Sequence, residues 1–115
     1  MSDLQRLTED IVAFRDARDW KQFHNSKDCA ISLSLEASEL LEHFQWKNKE
    51  EVKEYIETNK SDIGEELADV LYWVLLMSHD LNINIVNALE NKMVKNAEKY
   101  PIDKAKGKSN KYTEL

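Results

Sequence analysis

Glycine and proline, the residues that most often turn a chain sharply, are nearly absent from this sequence. Its 115 residues include two glycines, Gly64 and Gly107, and one proline, Pro101. Tight β-hairpins depend on such residues, so their scarcity leaves little room for a many-stranded sheet. It also excludes glycine-rich phosphate loops, whose motifs need glycines only a few positions apart. A chain of this length is expected to form one domain, and this one is predicted to build it from long helices.

Apolar residues recur at helical spacing along most of the chain. The five helices predicted from this spacing and from capping residues cover residues 2–18, 27–46, 48–58, 61–81 and 82–100. Helices one and five each offer a single apolar stripe, so the core they can build is thin. We therefore expect an all-α bundle of four main helices and one short helix, completed by oligomerisation. Residues 1–101 are expected to form this domain, and the lysine-rich residues 102–115 an irregular tail.

Charge is divided unevenly along the chain. The net charge is −6, with −10 in residues 1–91 and +5 between Lys92 and Lys111. This acidic balance argues against a general nucleic-acid binder. An acidic body with a basic C-terminal segment could bind a cation and an anion together, although a solvated helix end and a lysine tail would explain the same pattern.

The sequence carries no sign of secretion or membrane insertion. Cys29 is the single cysteine, so no internal disulfide forms, and we expect it to be a small core residue. The longest apolar run, Val70 to Met77, is far shorter than the ~20 residues of a membrane span. The N-terminus has early acidic residues and no apolar secretory core. We expect a soluble cytoplasmic protein that binds neither nucleic acid nor membrane.

Carboxylates interrupt the apolar pattern of two predicted helices. In the second helix Glu36 shares the apolar face and Glu39 lies one turn further on. In the fourth helix Glu66 and Asp69 flank the apolar stripe one turn apart, and neither helix interleaves a basic residue with its pair. Surface carboxylates would explain one such helix, but inward carboxylates on two helices repel one another unless a cation joins them. An all-oxygen set suits Mg²⁺ or Mn²⁺ rather than zinc, and the two Glu-x-x-His motifs of a di-iron bundle are absent.

The series Glu36-x-x-Glu39, 26 residues, Glu66-x-x-Asp69 resembles the E-x-x-E…E-x-x-D motif of the all-α nucleoside triphosphate pyrophosphohydrolases, the MazG-like superfamily. Five segments resemble its dCTP pyrophosphatase branch: Trp20-Lys-Gln-Phe-His24, Glu39-Leu-Leu-Glu-His-Phe-Gln-Trp46, Glu66-Leu-Ala-Asp69-Val-Leu, Lys92 to Pro101 and Lys111 to Leu115. The resemblance implies hydrolysis between the α and β phosphates, which gives a nucleoside monophosphate and pyrophosphate. It also implies Mg²⁺ held by these four catalytic carboxylates, one of them doubling as general base, and a homo-oligomer, a tetramer built as a dimer of dimers.

Basic and aromatic residues supply the rest of the expected site. Lys92, Asn96 and Lys99 share one face of the fifth helix, where they could reach the outer phosphates. Lys27 adds positive charge at the start of the second helix. By resemblance, the base is surrounded by four ring-bearing residues, Trp20, His24, Trp46 and Trp73. Packing in a core or interface would explain Trp46 and Trp73 as well, and solvation would explain each lysine.

Departures from the branch concern the base rather than the metal. Leu35 and Ser38 stand where glycine is frequent, Lys27 where arginine is usual, and Trp73 where tyrosine is common. We expect a Mg²⁺-dependent pyrophosphohydrolase that removes dCTP, or a modified pyrimidine deoxynucleotide, from the nucleotide pool. The alternatives are a broader MazG-like enzyme acting on several dNTPs or damaged purines and, from another class, a non-catalytic helical interaction protein.

Overall fold

Helices and the turns that join them make up the whole protein. The computed structural model describes residues 1–115 and contains no β-strand, so the predicted all-α class is confirmed. The chain forms two compact units, Met1–Asn82 and Ile83–Leu115. The expected domain boundary after Pro101 stays a prediction. None of the helices combines the length and the apolar character that a membrane span requires.

The first unit begins with the capped helix that the sequence predicts. Helix α1 covers Asp3–Ala17, and Ser2 and Gln5 form its capping box, each side chain accepting from the other residue's backbone N–H. A connector follows that contains one 3₁₀ turn, Lys21–Phe23. The connector ends at Asn25, which caps helix α2, and this helix covers Ser26–Glu42.

Helix α2 ends four residues before its predicted end at Trp46. The chain turns after Glu42, and Trp46 adopts the left-handed backbone region with φ 72°. Phe44 and His43 fold back onto Tyr55 of the next helix, with ring centroids 6.4 Å and 5.6 Å from that ring. Phe44 fits the apolar spacing of the predicted helix, and it is partly buried. Its burial, however, comes from the turn rather than from a continued helix.

Helix α3 covers Lys49–Asp80 and joins two helices that we predicted separately. Asn48 and Glu51 form a capping box at its start. The helix is interrupted between residues 58 and 61, where we predicted two separate helices, but the interruption is confined to Asn59, with φ −126° and ψ 22°. The Asn59 side chain donates to the backbone carbonyl of Tyr55 at 2.9 Å, so a single residue absorbs the kink and the helix resumes without a loop.

The core of this unit is small, as expected. Helix α3 packs against both α1 and α2, and the fully buried apolar side chains are Cys29, Leu75 and Leu76. Arg15 of α1 is also buried and forms a bidentate ion pair with Asp80 at the end of α3. Cys29 therefore lies in the core as predicted, and an ion pair supplements the thin apolar packing.

The second unit consists of one long helix and a folded tail. Helix α4 covers Ile85–Lys99 with Asn84 as its cap. The tail is more ordered than we expected, because it contains the helical turn α5, Ile102–Ala105, and a 3₁₀ turn, Tyr112–Glu114. Aromatic packing explains this order: the Tyr112 ring meets the Tyr100 ring edge-on at 6.1 Å, and the Lys99 ammonium lies 4.8 Å from the Tyr112 ring centroid.

Candidate metal centre and adjoining cavity

Four carboxylates from two helices meet in the first unit. Helices α2 and α3 are joined by a short turn and pack side by side, so they run in opposite directions. Each contributes one pair separated by a single turn. One oxygen from each residue lies within 4.8 Å of the other three. We call this set the carboxylate centre; it comprises Glu36, Glu39, Glu66 and Asp69.

The carboxylate centre is partly shielded from water. Glu36 and Glu66 are half-buried, whereas Glu39 and Asp69 are exposed. The Oε2 atoms of Glu36 and Glu66 are buried and have no hydrogen-bond partner. Buried polar atoms without partners cost free energy, so these two oxygens are expected to contact a bound group that is not part of the chain.

Burial and the repulsion from neighbouring carboxylates raise the pKa of Glu36 and of Glu66. Burial is the largest cause that raises the pKa of Glu36 to about 7, followed by contact with Glu39 and by the negative charges of Glu39, Asp69 and Glu66. Burial also raises the pKa of Glu66, and the charge of Glu39 adds to it. A positive ion would relieve both effects.

The donor set fits a hard divalent cation. All four residues offer carboxylate oxygens, the ligands that Mg²⁺ and Mn²⁺ prefer, and two of those oxygens are buried without a partner. Zinc favours cysteine and histidine, and neither is part of the centre. That the centre holds a metal stays a prediction.

A histidine missed by the sequence reading borders the carboxylate centre. His43 Nε2 lies 3.9 Å from Glu66 Oε1, and His43 Nδ1 is 2.5 Å from the Tyr55 hydroxyl. Tyr55 thereby fixes the imidazole ring beside the carboxylate, an arrangement typical of groups that orient metal ligands. The spacing in the sequence could have indicated this position, because His43 lies four residues after Glu39 and therefore on the same side of the helix.

An aromatic cavity of about 570 Å³ adjoins the carboxylate centre. Glu36 and Asp69 line it, so the two features share residues. The other walls come from the connector and α3, which supply Trp20, His24, Tyr72 and Trp73, and from α1, which supplies Leu7, Asp10, Ile11 and Phe14. The α1 wall was not predicted, because an apolar stripe has the same spacing whether it meets a core or a cavity.

The ring-bearing residues of the aromatic cavity pack edge to face. Trp73 meets His24 at a centroid distance of 5.3 Å and Tyr72 at 5.1 Å, with interplanar angles of 71° and 82°. Trp20 meets Phe14 at 5.7 Å and stays 41% exposed. His24 Nδ1 is buried without a hydrogen-bond partner. The cavity therefore offers aromatic surface together with one unused polar ring atom.

The remaining predicted site residues lie elsewhere in the chain. Lys27 is exposed in the first turn of α2, and Trp46 is 91% exposed in the turn between α2 and α3; neither lines the aromatic cavity. Lys92, Asn96 and Lys99 belong to α4 in the second unit, where both lysines are exposed. The structure thus unites Trp20, His24 and Trp73 with the carboxylates, and the roles of the others stay predictions.

Known proteins resemble this chain along its length. Residues 31–115 match the MazG-like family. The dCTP pyrophosphatase 1 of Rattus norvegicus is 32% identical over 117 residues, which span the whole chain and 67% of that protein. The Homo sapiens protein of the same name is 33% identical over the same shares. A pyrophosphatase structure from Archaeoglobus fulgidus aligns with a TM-score of 0.83 and 39% identity, covering 88% of this chain and 94% of that one. The resemblance to the dCTP pyrophosphatase branch is confirmed, and the chain belongs to the MazG-like family.

Proposed function

We propose that this protein hydrolyses dCTP, or a modified pyrimidine dNTP, to the monophosphate and pyrophosphate and so controls the nucleotide pool. The broader class, a nucleoside triphosphate pyrophosphohydrolase, is the one to which its named relatives point. The observation that carries the proposal is that Glu36 and Asp69 belong both to the carboxylate centre and to the aromatic cavity. A triphosphate beside the carboxylates would thus have its base beside the aromatic rings.

The carboxylate centre is the proposed magnesium site, with Mn²⁺ as a substitute. Glu36, Glu39, Glu66 and Asp69 would hold the ion through carboxylate oxygens. When bound, Mg²⁺ neutralises phosphate oxygens and lowers the pKa of a water positioned for attack. The attacking water must also lose a proton, and we propose that one of the four carboxylates accepts it.

The aromatic cavity is the proposed base site. Stacking of a base on an aromatic side chain contributes about 1–3 kcal/mol, and Trp20 and Trp73 supply such rings here. His24 Nδ1, which has no partner in the protein, could bind the edge of the base. Trp46 is proposed as a further base contact from the resemblance alone.

We propose that lysines outside the carboxylate centre and the aromatic cavity bind the outer phosphates of the nucleotide. Lys27, Lys92 and Lys99 are exposed, and Asn96 lies on the same α4 face as Lys92 and Lys99. A nucleotide is the proposed ligand, and the protein is expected to act in the cytoplasm without nucleic acid or membrane.

We also propose that copies of the chain assemble, as a tetramer built from dimers. Large apolar side chains remain exposed within each unit. Leu67 is 53% and Leu71 43% exposed on α3, and Leu89 is 60% and Met93 56% exposed on α4. Exposed apolar patches at helical spacing mark interaction surfaces, so sedimentation should show an oligomer.

A panel of nucleotides tests the proposed substrate. Pyrophosphate release would be compared, with and without Mg²⁺, for dCTP, 5-methyl-dCTP, dTTP, dATP, dGTP and an oxidised purine nucleotide. The proposal expects the highest kcat/KM for the cytosine nucleotides. Similar rates with all of them would favour the broader enzyme, and no turnover with any would favour the non-catalytic interaction protein.

A further inference from the structure

We infer that Asp10 selects the base, by accepting a hydrogen bond from the exocyclic amino group that cytosine carries and uracil lacks. The inference rests on the proposed function, because it assigns a residue to the base site of that same reaction. It concerns a side chain of α1, which lies outside the carboxylate centre.

Asp10 is the only polar side chain that α1 presents to the aromatic cavity. Four residues of one helical face line that wall: Leu7, Asp10, Ile11 and Phe14, at spacing i, i+3, i+4 and i+7. Three of them are apolar. The other charged residues that line the cavity, Glu36 and Asp69, belong to the carboxylate centre. Asp10 is therefore the one carboxylate of the cavity that has no place in the proposed metal site.

The present partner of Asp10 leaves its carboxylate available. Arg6 Nη1 lies 3.7 Å from Asp10 Oδ2, and the side chains are 57% and 68% exposed. An ion pair this open to water contributes little, and a carboxylate has about four lone-pair sites. Asp10 can keep Arg6 nearby and still accept a hydrogen bond from a ligand.

The chemistry of the pyrimidine edge gives Asp10 its selectivity. Position 4 of cytosine carries an amino donor, whereas position 4 of uracil and thymine carries a carbonyl acceptor. An ionised carboxylate only accepts, so it binds the amino group and repels the carbonyl. His24 does not discriminate in this way, because its free Nδ1 donates or accepts according to the tautomer.

The pair dCTP and dUTP tests this contact, since the two differ only along the base edge formed by N3 and position 4. Asn can offer either an acceptor or a donor, so Asp10→Asn should lower the ratio of kcat/KM for dCTP over dUTP by about tenfold or more. The matched control is Asp3→Asn, because Asp3 also pairs with Arg6, at 3.8 Å, but is 93% exposed and lies outside the cavity. The Asp3→Asn variant should have the same ratio of kcat/KM for dCTP over dUTP as the unchanged protein.

Binding separates failure of this inference from failure of the proposed reaction. Quenching of tryptophan fluorescence by dCMP and dUMP reads base preference without turnover, because Trp20 and Trp73 line the cavity. A preference for dCMP that Asp10→Asn removes and Asp3→Asn retains supports the inference even if no triphosphate is hydrolysed. The same dCTP to dUTP ratio in the unchanged protein and in Asp10→Asn, with both variants folded, would overturn it.

Discussion

The carboxylates of Glu36 and Asp69, which come from different helices, belong at once to the carboxylate centre and to the wall of the aromatic cavity. Glu36 lies on α2 and Asp69 on α3, so the packing of these two helices brings both features together. A change at the α2–α3 contact should therefore alter the affinity for a cation and for a base together.

The metal-free protein should lose stability as the pH rises through the titration of Glu36. Burial and the neighbouring carboxylates raise its pKa from 4.5 to about 7, so between these values the folded state binds more protons than the unfolded state. This contribution to the free energy of unfolding is present below pH 4.5 and is lost as the pH approaches 7. In chelator, Glu36→Gln should match the unchanged protein at pH 4.5 and melt at a higher temperature at pH 8.

Glu65→Gln is the control for that experiment, because Glu65 is exposed and outside the carboxylate centre. It should leave the pH dependence of melting as it is. An equal difference between Glu36→Gln and the unchanged protein at both pH values would contradict the prediction.

Binding of Mg²⁺ should release protons near neutral pH. The cation requires ionised carboxylates, and the raised pKa of Glu36 means that it is partly protonated at pH 6.5. Titration calorimetry in two buffers of different ionisation enthalpy should find proton release at pH 6.5 that vanishes by pH 9. Release that does not change with pH would argue against Glu36 as a ligand.

Arg15 should be essential to the stability of the first unit. Its guanidinium is 1% exposed and lies 2.7 Å and 3.0 Å from the two carboxylate oxygens of Asp80. Arg15→Ala leaves that carboxylate without its partner and should lower the free energy of unfolding in urea by about 3–5 kcal/mol. Arg6→Ala removes only exposed ion pairs and should cost about 1 kcal/mol or less. Equal losses in both variants would refute the role of Arg15.

Trp20 should contribute to base binding. Removal of one stacking ring costs about 1–3 kcal/mol, so Trp20→Ala should raise KM for dCTP roughly tenfold with a smaller effect on kcat. Phe23→Ala is the matched control, because Phe23 belongs to the same connector, is 63% exposed and does not line the cavity. A KM that changes equally in both variants would indicate a general effect of the connector.

Helix caps and the spacing of acidic residues along a helix are the features that the sequence predicts well. Ser2, Asn48 and Asn84 cap helices where their polar side chains indicate a start. The two acidic pairs meet because each spans a single turn and α2 and α3 pack together.

Features that depend on the packing of distant segments were predicted less well. Helix α2 stops at Glu42 because Phe44 folds onto Tyr55, a contact that periodicity does not reveal. Asn59 kinks α3 without ending it, because one side chain satisfies the freed carbonyl. The α1 wall of the cavity was also missed, since Leu7 and Ile11 have the spacing of core residues.

Product analysis with dCTP tests the central claim most directly. The unchanged protein, Glu66→Gln and Glu65→Gln would be incubated with dCTP and Mg²⁺, and dCMP, pyrophosphate and phosphate would be measured. We predict equal amounts of dCMP and pyrophosphate, no product in chelator, a loss of at least about 100-fold in Glu66→Gln and full activity in Glu65→Gln. Phosphate and dCDP as products, or equal rates in the two variants, would contradict it.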